Sequence, residues 1–314
     1  MPDFALGANL PWLDYGRDFG KNAWQPEGGL ARPERRERMR RALGELAASG
    51  AEIVRWWLLG DGRAGLREDG GSVLGLDDRV FPDLDAAVEG LREAGLRAIL
   101  VLVDFLWLDA PRVVNGVRLG GRRGHVRDAA RRAHLVGSVF APLAERYARE
   151  PAIAGWDLMN EPEWATLAVG TLDPRRSVSR REMRAFLGET ASAFGSRVTQ
   201  PLSVGLASAR WLSLLDGLPL DHHQVHWYSS LDPLTTLVRP VETLALGKPL
   251  LLGEFPTRGA SLAPRAILEM AREAGYSGAL AWSALAEDRA TDAVACHEAI
   301  RGFRGPGASA SRTA

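Results

Sequence analysis

A regular alternation along the chain constrains the fold more than any other feature of the sequence. Short apolar runs rich in Val, Ile, Leu or Trp are separated by longer segments with helical periodicity. Runs of this kind are typical of strands buried on both faces, and their alternation with helices indicates βαβ units in a parallel sheet. The pattern predicts eight strands, over residues 4–9, 52–58, 97–104, 153–160, 201–206, 223–228, 249–254 and 278–283.

Helical patterns fill the gaps between these strands. In the third gap, Leu135, Val139, Leu143 and Tyr147 recur every four residues and predict one apolar helix face that packs on the sheet. Other helices are predicted over residues 33–49, 82–94, 181–195, 209–216, 237–246, 262–274 and 290–302.

Strict alternation of eight strands with eight helices favours an α/β fold of the closed (β/α)8 type, a TIM barrel in a single domain. The barrel is expected over residues 1–303, followed by a disordered tail over 304–314. No Gly-x-Gly-x-x-Gly motif follows the first strand, which weakens the alternative of an open dinucleotide-binding sheet.

The longest predicted loops follow the carboxyl ends of the first four strands, where barrel active sites are built. The loop over 105–127 is expected to lie over the cleft, although the sequence assigns it no role. These loops cover residues 11–31, 59–80, 105–127 and 161–180.

Charge and hydropathy argue against nucleic acids and membranes as binding partners. Lys+Arg and Asp+Glu both number 39, so the chain has no net field that would attract nucleic acid or an anionic membrane. No apolar stretch approaches the roughly 18 residues of a membrane helix. The amino terminus lacks a basic region followed by a long apolar run, which predicts a cytoplasmic protein, or a secreted one if an export signal has been removed. The sequence leaves the oligomeric state open.

Two predicted strands end in the same unusual way. The run Gly155-Trp156-Asp157-Leu158-Met159 leads into Asn160-Glu161-Pro162, and Pro249-Leu250-Leu251-Leu252-Gly253 leads into Glu254-Phe255-Pro256. Proline cannot donate to a strand ladder, so each glutamate is expected at the carboxyl tip of its strand. Two carboxylates at the tips of two barrel strands would converge at one mouth.

A pair of carboxyl groups is what acetal hydrolysis requires. One carboxyl gives a proton to the leaving oxygen while the other attacks the anomeric carbon, and a separation of about 5–5.5 Å between them gives retention of configuration. Their protonation states must differ, so a proton should stay on Glu161 while Glu254 is ionised. Repulsion between close carboxylates supplies part of that difference. This chemistry needs no cofactor and no metal.

Four motifs in order resemble the large clan A of retaining (β/α)8 glycoside hydrolases, with glycoside hydrolase family 5, the cellulase and mannanase family, as the closest match. The motifs are Asn160-Glu161-Pro162, His226-Trp227-Tyr228, Gly253-Glu254-Phe255 and Trp282. The resemblance covers roughly residues 4–302. It implies a carbohydrate substrate and hydrolysis of a β-linked gluco- or manno-configured oligosaccharide or polysaccharide by double displacement.

The resemblance also implies roles for single residues. Glu161 matches the acid/base and Glu254 the nucleophile. Further substrate-site positions follow from the same match: Arg55 beside the nucleophile, Asn160 at the sugar 2-hydroxyl, His226 and Tyr228 on one side of the sixth strand, and Trp282 as a sugar platform.

The third strand departs from the family pattern. Many family members have a histidine at or after this strand, where the chain reads Val103-Asp104-Phe105-Leu106-Trp107. Asp104 and Trp107 are therefore expected to take over substrate contacts. Trp164, in the loop after the fourth strand, is expected to offer a flat apolar face to a sugar ring.

Three other functions remain open at this point. A transglycosylase would use the same two glutamates with a sugar in place of water. A non-catalytic carbohydrate-binding barrel would not need both glutamates. A metal-dependent hydrolase would use His222, His223 and His226, although His223 should face away from its neighbours on a strand. The sugar, the linkage and the choice between internal and terminal cleavage are not indicated.

Overall fold

Each predicted apolar run forms a strand, and the eight strands close into one parallel barrel. The computed structural model describes residues 4–286 and 288–304. In chain order the strands are β1 (Ala5–Leu10), β2 (Ile53–Trp57), β3 (Leu66–Asp69), β4 (Ser72–Leu76), β5 (Arg97–Val101), β6 (Arg112–Val114), β7 (Val117–Leu119), β8 (Ile153–Asn160), β9 (Leu202–Leu206), β10 (His223–His226), β11 (Leu250–Pro256) and β12 (Gly278–Trp282). Around the barrel the strands follow the order β1-β12-β11-β10-β9-β8-β5-β2, and β2 pairs again with β1.

The predicted (β/α)8 barrel is thus confirmed, with two additions inside predicted loops. Strands β3 and β4 form an antiparallel hairpin in the second loop, and β6 and β7 form another in the third loop. Their short alternating segments are too brief to stand out from the surrounding loop sequence.

The helices pack outside the barrel and largely match the predicted ranges. Buried Leu135, Val139, Leu143 and Tyr147 form the predicted apolar face, although a π-helical turn over Val136–Phe140 interrupts the helix. The helices are α1 (Pro33–Ala48), α2 (Val80–Ala94), α3 (Arg123–Arg127), α4 (Ala129–Leu135), α5 (Ala141–Arg146), α6 (Arg180–Gly195), α7 (Leu234–Leu237), α8 (Pro264–Glu273) and α9 (Ala293–Arg304).

Two predicted helices differ from the structure. The helix expected over 237–246 is wrong: α7 ends at Leu237, and a short 3₁₀ turn covers Val241–Leu244. Pro240 lies between them, with φ of −55° and ψ of 124°. A continuous helix is disfavoured there because proline has no N–H to donate and disfavours helical backbone in the residue before it. The segment over 209–216 is a 3₁₀ helix, Ala209–Leu215. Arg304 closes α9, and residues 305–314 of the expected tail lie outside the described residues.

The barrel interior is layered. At the amino-terminal ends of the strands, apolar side chains fill it, including Ile53, Ile99 and Leu280. Two residues further along β2, on the same face, Arg55 begins a polar layer. Apolar side chains below and polar ones above place the chemistry at the carboxyl ends of the strands. No helix among the described residues is long and apolar enough to cross a membrane.

A buried aspartate on α2 fixes the first long loop. Asp83 is 1% exposed and accepts the backbone N–H groups of Gly20, Gly29 and Ala31 at 2.8, 2.9 and 2.8 Å. These three bonds tie residues 11–31 to α2 and so set the position of one rim of the barrel mouth.

Replacing Asp83 with Ala should therefore destabilise the fold. Two buried backbone donors, those of Gly20 and Gly29, and the half-buried donor of Ala31 would lose their acceptor. An unsatisfied buried donor costs about 1–3 kcal/mol, so we expect a loss of about 3 kcal/mol or more. Urea unfolding measures it. The matched control is Asp78→Ala, which removes an exposed ion pair between Lys21 and the segment just before α2 and should cost much less than Asp83→Ala. Equal losses in the two variants would contradict this account of the loop.

Candidate active site

Two glutamates from distant parts of the chain meet at the carboxyl ends of the barrel strands. Glu161 follows the last residue of β8, and Glu254 lies near the end of β11. One oxygen of Glu161, one oxygen of Glu254 and one ring nitrogen of His226 all lie within 4.8 Å of one another. The two carboxylates predicted from the strand ends therefore face the same small space.

The backbone at Glu161 is in an unusual conformation. Its φ of 47° and ψ of 51° place it in the left-handed region, and its N–H donates to the Gly205 carbonyl at 2.7 Å. A non-glycine residue rarely adopts this region, and such strain is found mostly where surrounding structure enforces it. The turn lifts the Glu161 side chain off the strand and into the barrel mouth.

Below the two glutamates, Arg55 is completely buried, and all three of its guanidinium nitrogens donate hydrogen bonds. Its Nη1 donates to Oε1 of Glu254 at 2.7 Å, and its Nε and Nη2 donate to Oδ2 of Asp157 at 2.9 and 2.6 Å. Further bonds run to Oδ1 of Asn160 at 2.8 Å and Oδ1 of Asn9 at 3.2 Å. The planar fork of donors thus holds two carboxylates and two amides in fixed positions.

This layer fits only because a glycine lies beside it. A Cβ on Gly205 would come within 2.6 Å of Nη2 of Arg55 and 3.0 Å of Oδ2 of Asp157. It would also lie 2.5 Å from Nε2 of Gln224, which donates to Oδ2 of Asp157 at 2.7 Å. Any larger residue at 205 would displace the charged layer that supports Glu254.

Glu254 receives strong donors on both oxygens. Arg55 bonds Oε1, and the Tyr228 hydroxyl donates to Oε2 at 2.8 Å. Burial is the largest influence on the pKa of Glu254 and raises it, while Arg55 and the Tyr228 hydroxyl lower it. Because these donors stabilise the charged form directly, Glu254 is the better placed of the two glutamates to be ionised.

Glu161 has a weaker set of partners. The indole Nε1 of Trp164 donates to Oε2 at 3.0 Å, and Nδ1 of His226 contacts Oε1 at 2.8 Å. Burial raises the pKa of Glu161 to about 7, and the charge of Arg55 only partly opposes it. Glu161 therefore holds its proton up to nearly neutral pH, while its neighbour is better able to ionise.

Two further groups complete the electrostatics. Burial lowers the pKa of His226 to about 4, so the ring is neutral at neutral pH and adds no charge between the glutamates. Glu163 is fully buried and accepts the N–H of Ala207 at 2.5 Å. Burial, followed by the charge of Glu161, raises the pKa of Glu163 well above its usual value. Sequence reasoning missed Glu163; its nearness to the Asn-Glu-Pro motif was the available signal.

The glutamates lie at the bottom of an open cleft of about 570 Å³. Trp57 and Trp282 meet edge to face on one side of the floor, with ring centroids 5.7 Å apart. Trp164 lines the cleft as expected, and it packs on Trp211 with centroids 5.2 Å apart. Other wall residues come from loops whose paths the sequence did not reveal, namely Trp12, Tyr15, Arg63, Phe105, Leu106 and Leu231.

The structure places some predicted substrate contacts elsewhere. Trp107 is 1% exposed, does not line the cleft, and packs under Arg122, so its expected contact with substrate is wrong. It lies within the 3₁₀ turn Phe105–Leu108, and its ring is buried in the core. Arg55 and His226 are 0% and 1% exposed, and they lie beneath the cleft, where they contact the glutamates. Asn160, Asp104, Tyr228 and Trp282 line the cleft itself.

The third loop contributes Phe105 and Leu106 to the wall of the cleft. Its β6–β7 hairpin borders a second cavity of about 430 Å³, which Arg112 and Leu119 help to line. This cavity shares Tyr15, Arg63 and other wall residues with the main cleft and extends it sideways.

The three histidines considered for a metal site do not converge. His222 lines a small cavity at the opposite end of the barrel with Ile53 and Leu251. Within residues 4–286 and 288–304, the side chains that meet at metal-binding spacing are Glu161, His226 and Glu254. These three already bond Trp164, Arg55, Tyr228 and one another, as an acid–base site would require.

Comparisons with known proteins agree with this geometry. No family model matches the chain. A mannan endo-1,4-beta-mannosidase of Mytilus edulis is 24% identical over 327 residues, which cover 89% of this chain and 83% of that protein. Among solved structures, an endo-1,4-beta-mannanase from Eisenia fetida shares the fold with a TM-score of 0.79 at 21% identity, over 96% of this chain and 91% of that one. A beta-1,4-mannanase from Aplysia kurodai shares the fold with a TM-score of 0.77 at 19% identity, over 96% of this chain and 92% of that one.

The relatives in sequence and the barrel that they share with this chain confirm the resemblance found in its motifs. The chain is similar in sequence and in fold to the retaining (β/α)8 glycoside hydrolases of clan A, and within that clan to the mannanases of family 5.

Proposed function

We propose that this chain cleaves β-1,4-mannosidic bonds within mannan chains, with retention of configuration at the anomeric carbon. One observation carries the proposal: two carboxylates with oxygens within 4.8 Å of each other lie at the bottom of an open cleft. That spacing suits a glutamate that attacks the sugar directly, whereas inverting enzymes need about 6.5–9.5 Å between the carboxyl groups to admit a water.

The choice of sugar is supported by the relatives. The sequence relatives from Mytilus edulis and Cryptopygus antarcticus both have names that specify mannan endo-1,4-beta-mannosidase. The cleft agrees with internal cleavage, because it is open and runs on into the second cavity past Tyr15 and Arg63. A long chain could therefore lie across the glutamates with sugars on both sides.

In the first step of the proposed reaction, a carboxylate oxygen of Glu254 attacks the anomeric carbon and the bond to the leaving sugar breaks. Glu161 gives its proton to the departing oxygen, and a covalent glycosyl ester forms on Glu254. Arg55 and Tyr228 hold the two oxygens of Glu254, so the nucleophile keeps one orientation.

In the second step, Glu161 is ionised and takes a proton from water, whose oxygen attacks the same carbon and releases Glu254. Trp164 and His226 hold Glu161 in both states, since a neutral imidazole Nδ1 can accept from the protonated acid or donate to its carboxylate. Trp282 and Trp57 provide flat apolar surfaces next to the reacting sugar.

A substrate screen tests the proposed activity. The chain should lower the viscosity of β-1,4-mannan faster than it releases reducing ends, and NMR should find the β-anomer first in the products. Hydrolysis of β-1,4-glucan or xylan with mannan left intact would contradict the proposed sugar, and a first-formed α-anomer would contradict retention. Adding excess mannooligosaccharide distinguishes a transglycosylase, whose main products would be longer chains.

The proposed nucleophile has a direct test with an aryl β-mannoside that carries a good leaving group. Glu254→Ala should lower kcat by about 10⁴-fold or more, the scale observed when a nucleophile is removed. Added azide should restore turnover and yield the α-mannosyl azide, because the anion enters from the face that Glu254 leaves empty. The matched variant Glu161→Ala should instead yield the β-mannosyl azide. Full activity in Glu254→Ala would refute the proposed role of Glu254.

The pH dependence should identify the two ionisations. Hydrolysis requires Glu254 ionised and Glu161 protonated, so kcat/KM should fall on the alkaline side as the pH passes about 7, the pKa of Glu161. Tyr228→Phe removes a donor that lowers the pKa of Glu254, so the acid limb should move to higher pH while the alkaline limb stays.

In the same variant kcat should fall by about 10–100-fold, as expected for loss of a hydrogen bond to a charged group. Tyr147→Phe is the matched control, since that hydroxyl bonds Asp85 on the outer helices at 2.7 Å. An acid limb that does not move in Tyr228→Phe would show that the hydroxyl does not act on Glu254.

A further inference from the structure

Asp104 lies at the point where the third barrel strand opens into its loop, and its side chain borders the cleft while 7% exposed. Oδ1 accepts the backbone N–H of Leu106 at 3.0 Å. Oδ2 accepts Nδ2 of Asn160 at 2.8 Å and the indole Nε1 of Trp57 at 3.4 Å. All three partners are donors, so the ionised carboxylate is the form that satisfies them.

These contacts fix the amide of Asn160. Its Oδ1 accepts from Nη2 of Arg55 at 2.8 Å, and its Nδ2 donates to Asp104 on the other side. A guanidinium only donates and a carboxylate only accepts, so the amide has one orientation. One Nδ2 hydrogen is used by Asp104, and the second is left for a ligand, because Asn160 lines the cleft.

The backbone supports the same arrangement. Asp104, which lies beyond the end of β5, forms a parallel bridge with Asn160, the last residue of β8, and the N–H of Asn160 donates to the Val103 carbonyl at 2.9 Å. The side-chain bond between residues 104 and 160 therefore joins two strands that already lie side by side. Asn160 in turn immediately precedes Glu161.

Asp104 also brings a third acidic group to the two glutamates. Burial raises the pKa of Asp104 to about 7, its bonds to Leu106 and Asn160 oppose the rise, and the charge of Glu161 adds to it. Repulsion between two carboxylates is mutual, so an ionised Asp104 disfavours ionisation of Glu161.

We propose that Asp104 is a positioning residue for the glycosidase reaction: it fixes the Asn160 amide with one N–H toward the sugar, and its negative charge helps to keep the proton on Glu161. This inference rests on the proposed function. Asp104 needs no contact with the reacting atoms for either effect.

The other charged and titratable groups around Glu161 and Asp104 set the background for the test. Arg55 lies below and lowers the pKa of Glu161. His226, Glu254 and Tyr228 face Glu161 from β10, β11 and the segment after β10, and Glu163 lies two residues beyond it. None of these is altered by a substitution at 104, so a shift in the alkaline limb reports on the Asp104 charge.

The first test is Asp104→Asn, which keeps the shape and one acceptor oxygen but removes the charge. The alkaline limb of kcat/KM should move to lower pH by about 0.5 unit or more, since Glu161 would lose a like-charged neighbour. The matched control is Asp18→Asn. Asp18 is a buried aspartate that likewise accepts from backbone amides and an indole, those of Leu13, Asp14 and Trp56, but it lies outside the cleft lining.

The control should leave the alkaline limb unmoved. An unmoved limb in Asp104→Asn, or an equal shift in Asp18→Asn, would overturn the charge part of the proposal.

The second test is a double-mutant cycle with Asp104→Ala and Asn160→Ala. If Asp104 acts through Asn160, each single variant should lose about 10–100-fold in kcat/KM, and the double variant should lose little more than Asn160→Ala alone. Losses that multiply would overturn the positioning role. Circular dichroism checks folding, and Asp104→Asn carries the test if the Ala variant is unfolded.

Failure of this inference is distinguishable from failure of the proposed function. An active wild type with an inactive Glu254→Ala and unaltered Asp104 variants would refute only the role of Asp104. A Glu254→Ala variant that hydrolyses at the full rate would refute the function on which the role depends.

Discussion

The active site depends on one buried cation. The guanidinium of Arg55 has no exposure to solvent, yet it faces two carboxylates and two amides within hydrogen-bonding distance. Removing such a charge from water costs several kcal/mol, and the cost is offset only when the partners are well placed. The ion pairs with Asp157 and Glu254 are therefore better understood as a way to fix geometry than as a source of stability.

The barrel makes room for this cation in specific places. Gly205 and Gly253 leave the space that Arg55, Asp157 and Gln224 occupy, since a Cβ on either would overlap a side chain of the polar layer. Register shifts occur between β8 and β9, β10 and β11, and β11 and β12, close to where each strand delivers its functional residue. Such irregularities turn side chains away from strict alternation. The left-handed backbone at Glu161 likewise turns its side chain out of the alternation of β8.

The sequence predicts those features of the fold and the site that follow from hydrophobic periodicity and from prolines that end strands. Apolar runs predict buried strands, and proline after Glu161 and Glu254 marks strand ends. The barrel and its two glutamates could therefore be predicted. Depth could not. Arg55 lies beside Glu254 as expected, but it and His226 are buried under the glutamates rather than exposed to substrate, and Trp107 turns into the core. Burial depends on which loops pack over a residue. The rim residues Trp12 and Tyr15 come from the loop over residues 11–31, which Asp83 bonds to α2 at Gly20, Gly29 and Ala31, and no local pattern indicates those bonds.

The central claim is that Glu254 becomes covalently bonded to the sugar while Glu161 handles the proton. Incubation with a 2-deoxy-2-fluoro-β-mannosyl fluoride tests it most directly. The fluorine at C2 slows both steps by destabilising their oxocarbenium-like transition states, while the good fluoride leaving group keeps the first step fast enough for the ester to accumulate. Intact-mass measurement should show one added fluorosugar, and peptide mapping should place it on Glu254. A label on Glu161 or on another residue, or steady hydrolysis without any adduct, would contradict the account.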